Sequence, residues 1–88
     1  MKSGKLENGF EFSIDETVLD DMRFFDTLSR VEKEPLLFPK VADMLLGGEQ
    51  KERLYKHIEA EDGRVPIEAF SKCLEEIMLM VGEQGKNS

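Results

Sequence analysis

The stretch EAEDGRVPIEAF, from Glu59 to Phe70, comes nearest to a chemical site by residue type and spacing. An acidic helix end, an Asp-Gly turn, a hydrophobic residue two places on and a fresh amphipathic run outline a calcium-binding EF-hand loop. Such a loop needs oxygen ligands at its first, third, fifth and twelfth positions and a glycine at its sixth. With Gly63 as that glycine, Asp62 takes the fifth position, but Ile58, Ala60 and Ala69 take the first, third and twelfth. Three ligand positions then lack a side-chain oxygen, the bidentate acid is missing, and Pro66 stiffens the loop. The same residues read well as a joint. Gly63 in a left-handed conformation stops one helix, Arg64 and Val65 span the gap, Pro66 opens the next helix, and Ile67 and Phe70 point inward. A degenerate EF-hand-like regulatory module stands as an alternative reading only.

Other chemistry-bearing residues are sparse. His57 is the one histidine, has no second His or Cys at ligand spacing, and reads as an exposed helix residue. Cys73 lies within a helical pattern, with no basic or His neighbour to depress its pKa, and reads as a packed thiol. Carboxylate pairs such as Asp20-Asp21 and Glu75-Glu76 are ordinary in an acidic chain. There is no Gly-rich phosphate loop, nucleophile elbow or metal motif. This inventory predicts a protein that is not an enzyme and carries no metal or cofactor.

The elements that must position these residues follow from periodicity. In KLENGFEFSI, over about residues 5–14, Asn8-Gly9 signals a two-residue type I′ hairpin turn, which needs positive φ at both positions. Phe10, Phe12 and Ile14 alternate with Glu11 and Ser13, as in a half-buried strand. Ser13 and Asp15 compete as N-caps of a long amphipathic helix over about 15–33, with Val18, Met22, Phe25 and Leu28 on its apolar stripe and Leu19, Phe24 and Val31 widening it. Pro35 ends it by disfavouring helical backbone at Glu34. Further helices are expected at about 39–46, opened by Pro39 and closed by Gly47, at about 49–61, and at about 66–81, followed by a polar frayed tail over 82–88. The fold class is mainly α (α+β): one domain over residues 1–88, an N-terminal β-hairpin packed on a compact bundle of about four helices.

Bulk composition narrows the partners. The chain has 88 residues, 40% hydrophobic and 35% charged, with formal net charge −7, six Phe, five Met, one Tyr and no Trp. A chain of this size buries only about 60–65% of its unfolded surface, so its core is thin. The acidic balance argues against nucleic acid, whose phosphates require clustered Lys and Arg, and against an anionic membrane surface. No apolar run approaches the roughly 18 residues of a membrane span, MKSGKLENGF lacks a signal-peptide core, and a single cysteine fits a reducing compartment. A cytosolic protein is expected.

Two apolar features exceed what a thin core obviously needs: PLLFP between the first two helices, and IMLMV, apolar nearly all round, in the last. Either they are core or oligomer contacts, or they present apolar patches to a partner. On the second reading the contact residues are Leu36, Leu37 and Phe38 together with Met78, Leu79 and Met80.

GFEFSID with its following DDMRF, the LLGGEQKERLY joint and above all EDGRVPIEAF give the chain a family likeness that covers most of its length. It resembles the small tail assembly chaperones of long-tailed, siphovirus-type bacteriophages and prophages of Gram-positive bacteria. The resemblance implies a non-enzymatic protein made in the host bacterial cytoplasm and absent from the mature virion. Its client would be the tape measure protein, kept competent while tail tube protein polymerises around it, and the chaperone itself would be able to form a homo-oligomer. It further implies a longer form made by frameshifting near the terminal GKNS. A generic acidic adaptor or antitoxin-like protein is the remaining alternative.

Overall fold

In the computed structural model, which describes residues 1–85, a two-stranded hairpin packs on four α-helices. The protein is mainly α with an N-terminal β-hairpin. Its narrowest extent is 19 Å, about two layers of secondary structure.

Strand β1 (Lys2–Lys5) pairs antiparallel with β2 (Glu11–Ile14), Lys2 opposite Ile14 and Lys5 opposite Glu11. The turn differs from the expected type I′. Leu6 N–H donates to Phe10 O at 2.8 Å and Gly9 N–H to Leu6 O at 2.9 Å, closing a three-residue loop, Glu7-Asn8-Gly9. Only Gly9 has positive φ (91°), the pattern of a type I turn followed by a glycine bulge. Asn8 stays out of the left-handed region, and its Oδ1 accepts from Phe10 N at 2.9 Å. This register buries Leu6, Phe10, Phe12 and Ile14 on one face, and a one-residue slip would turn all of them to solvent. Gly4 lies opposite Phe12, and a Cβ there would stand 2.7 Å from Phe12 Cζ and 3.0 Å from Met80 Cε. The missing side chain is the space that the Phe12 ring fills.

The outer edge of β2 is closed by side chains of a helix instead of a third strand. Helix α3 (Gly48–Ile58) presents Gln50, Arg53 and His57 to it in succession. Gln50 Oε1 accepts from Ser13 N at 2.6 Å while its Nε2 donates to Ser13 O at 2.8 Å and to Leu46 O at 2.9 Å. Arg53 Nη2 donates to Glu11 O at 3.1 Å, with the guanidinium 5.2 Å from the Phe10 ring centre. His57 Nε2–H donates to Asn8 O at 2.9 Å. Edge groups that would otherwise invite another chain are thereby occupied.

The long helix expected over 15–33 is two pieces. Asp15 Oδ1 accepts from Thr17 N and opens a short 3-10 helix, Glu16–Asp20; Asp21 is extended (φ −109°, ψ 120°) and caps α1 (Met22–Arg30) through Arg23 N at 2.8 Å. Aspartate competes for nearby backbone N–H groups, so Asp20-Asp21 ends one segment and starts another. The break resets the helical phase. Phe24 and Thr27 are buried, whereas Met22 and Phe25, expected on the apolar stripe, are 69% and 58% exposed.

A 3-10 turn, Pro35–Leu37, leads into α2 (Phe38–Leu46), and only Gly47 separates α2 from α3. Lys51 reaches back across this joint to Asp43 at 2.8 Å. Helix α3 stops at Ile58, short of the expected 61, and α4 (Ile67–Gly85) runs past the expected 81 into the anticipated tail. Residues 86–88, with most of the GKNS stretch, lie outside the described residues. Val41, Leu54, Leu74 and Ile77 are fully buried, joining α2, α3 and α4 to the apolar face of the hairpin.

Gln50→Ala removes three hydrogen bonds and is expected to cost about 1–2 kcal/mol in denaturant unfolding. Gln50→Glu costs more, because a carboxylate cannot donate to the Ser13 and Leu46 carbonyls. Gly4→Ala displaces the Phe12 ring and is expected to cost about 1–3 kcal/mol in the same measurement.

Candidate functional site

Pro35, in the turn after α1, shapes an apolar surface feature of the molecule. Its ring holds Glu34 off helical geometry (φ −128°, ψ 76°), so the chain turns sharply before α2. That turn leaves Leu36 94% exposed, while Leu37 and Phe38 are half-buried. Phe38 meets Phe70 edge-on at 5.7 Å, and Tyr55 meets the same ring at 5.1 Å, fixing the start of α2 against α4.

A groove of about 590 Å³ opens between these elements. Leu28 and Val31 at the end of α1 form one wall, Leu36 and Phe38 another, and Ile67 and Met78 of α4 the third. Val41 and Leu74, both fully buried, floor it. Ser71 and Glu75 supply its polar side chains. What the groove can do is take up apolar side chains presented in a row, as an amphipathic helix presents them.

The two clusters singled out from the sequence are distributed unequally. Leu36, Phe38 and Met78 come together in the groove, and Leu37 is half-buried beside it. Met80 packs toward Gly4 and Phe12 of the hairpin, and Leu79 is 66% exposed but lines no part of the groove. Ile67, expected to point inward, is 78% exposed on the rim. The sequence reading missed Ile67, Leu28 and Val31 as groove residues; the available signal was the position of Ile67 one residue after Pro66, before the first turn of α4 can bury it.

The joint between α3 and α4 has no coordinating geometry. Ala60 N–H donates to Arg64 O at 2.8 Å and Gly63 N–H to Ala60 O at 2.9 Å, with Gly63 at φ 89°. Asp62 turns both oxygens to Arg64, accepting from its backbone N at 3.0 Å and from Nε at 2.8 Å. Those contacts hold the Asp62 carboxyl below the ordinary carboxylate range. Among the described residues no three His, Cys, Asp or Glu side chains are grouped to hold a metal ion. The Cys73 thiol is buried, which pushes its pKa up, and accepts a long 3.5 Å contact from Asn8 Nδ2. His57 is spent on Asn8 O and on the Phe10 ring, 5.5 Å away.

Asp15, like Asp62, has a lowered pKa, chiefly through its hydrogen bonds to Thr17. A carboxyl whose folded-state pKa is depressed contributes stability above its unfolded value, lost as pH falls through the folded value. The denaturation midpoint is therefore expected to drop below about pH 4. Asp62→Asn, which keeps the turn's acceptor oxygen, should reduce that acid sensitivity while the neutral-pH fold persists by circular dichroism. No helix among the described residues is long and apolar enough to cross a membrane. No family model, curated protein or solved structure matches the chain.

Proposed function

We propose that this protein is a non-enzymatic chaperone of phage tail assembly, which holds apolar segments of a tape measure protein in the groove between α1, α2 and α4. The supporting observation is Leu36, 94% exposed at the mouth of a groove that nothing within the described residues fills. A leucine so exposed beside Ile67, itself 78% exposed, is the kind of contiguous apolar surface that marks a partner site. The sequence resemblance supplies the identity of the client; the groove supplies a physical means of holding it. On this reading the protein works in the host bacterial cytoplasm, meets tail tube protein as the client is handed over, and is left out of the finished virion. The acidic body, at net charge −7, keeps the client complex soluble by repulsion between copies.

Co-expression with the tape measure protein of the same genome tests the reading. The soluble fraction of the client is expected to rise severalfold, and Leu36→Asp or Ile67→Asp to abolish the rise. Both side chains are exposed, so the variants should keep the wild-type circular dichroism spectrum. No gain in client solubility together with no pull-down would overturn the assignment.

A further inference from the structure

Helix α1 carries a second apolar surface that the groove does not use. Met22 and Phe25 stand three residues apart, on the side of the helix away from buried Phe24 and Thr27. With Leu19 they line a shallow depression of about 230 Å³ whose remaining walls are Asp20 and Asp21. No residue of this depression lines the groove at Leu36.

The charge around this surface is one-sided. Residues 15–26 read DETVLDDMRFFD, five carboxylates against the single guanidinium of Arg23. Glu16 lies 3.3 Å from the amino terminus and Asp26 makes a loose 3.9 Å pair with Arg30. Among the described residues Asp20 makes no ion pair, and Asp21 uses one oxygen for the backbone N of Arg23, a contact that leaves its charge in place. An exposed aromatic ring and a thioether, walled by carboxylates, complement a segment that offers apolar side chains flanked by Lys or Arg. The apolar contact supplies area, the carboxylates select sign, and a guanidinium can both pair with Asp20 or Asp21 and stack on the Phe25 face. A second copy of the chain meeting this face with its own would bring four aspartates together, so self-association here is disfavoured.

We infer that the Leu19–Phe25 face, where the 3-10 helix meets the start of α1, is a docking surface for a cationic amphipathic helix of a partner protein, separate from the groove proposed to hold the client. It forms because the break at Asp20-Asp21 rotates Met22 and Phe25 out of the core.

The probe is a synthetic amphipathic peptide of about 16 residues, with Leu and Phe along one face and Lys and Arg elsewhere. Its partner carries Glu at every basic position. Titrated into isotopically labelled protein, the cationic peptide is expected to move the amide resonances of residues 19–25. Raising salt from about 50 to about 300 mM should weaken it roughly tenfold. Met22→Ser/Phe25→Ser should weaken it at least about fivefold, as should Asp20→Asn/Asp26→Asn, while Leu36→Asp leaves it unchanged. Asp21 is kept intact in these variants because it caps α1. Equal binding of the acidic peptide, shifts confined to the Leu36 groove, or a dimer in light scattering lost on Met22→Ser/Phe25→Ser would each overturn the proposal.

Discussion

The carboxamide of Gln50 ties the β part of this protein to its α part. It gives Ser13 the acceptor and donor that a neighbouring strand's peptide group would give, and it reaches Leu46 O at the end of α2 with the same nitrogen. A two-stranded hairpin is marginal by itself because half of its backbone groups face outward. Here α3 acts as a third strand made of side chains, with Gln50, Arg53 and His57 spaced to follow β2. The same face, four residues on from Gln50, delivers Leu54, fully buried, to the core. Polar and apolar contacts along one face thus set the position and orientation of α3, and α2 follows because only Gly47 intervenes. The walls of the groove inherit their placement from this arrangement.

The second determinant is the interruption at Asp20-Asp21. A continuous helix from 15 to 33 would have kept Val18, Met22, Phe25 and Leu28 on one stripe and buried them together. Restarting the helix at Met22 substitutes Phe24 and Thr27 as the inward pair, and Thr27 satisfies its hydroxyl on Arg23 O at 2.9 Å. A body only two layers thick has few places to put the apolar residues left over, which is why they surface as two distinct faces.

How far these features can be read from residues alone depends on whether local chemistry decides them. Phe10, Phe12 and Ile14 announce a buried strand face because a period of two has no other use there. Pro39 and Pro66 mark helix starts by fixing φ, so α2 and α4 begin close to where the sequence puts them, whereas Gly63 shapes the turn after α3 and does not stop that helix, which ends at Ile58. The break at Asp21 is hidden because the apolar spacing runs through it unchanged. Asn8-Gly9 names a turn but not its length, since the bulged loop uses the same dipeptide with only glycine at positive φ. The groove is less legible still. Leu36 and Leu37 are adjacent and chemically identical, yet tertiary packing half-buries the second and leaves the first in solvent.

The loops at Leu6–Phe10 and Ala60–Arg64 share one hydrogen-bond pattern. In each, the first residue's N–H meets the fifth residue's carbonyl, glycine's N–H meets the first residue's carbonyl, and the Asx side chain accepts from the fifth residue's N–H. One joins strands and the other joins helices, so the turn is indifferent to its flanks. It asks only for an acceptor oxygen before the glycine, and whether that oxygen belongs to an amide or a carboxylate is left to the surroundings. Beside the buried sulfur of Cys73 the chain uses neutral Asn8, and beside Arg64 it uses Asp62. Charge here is a degree of freedom separate from shape.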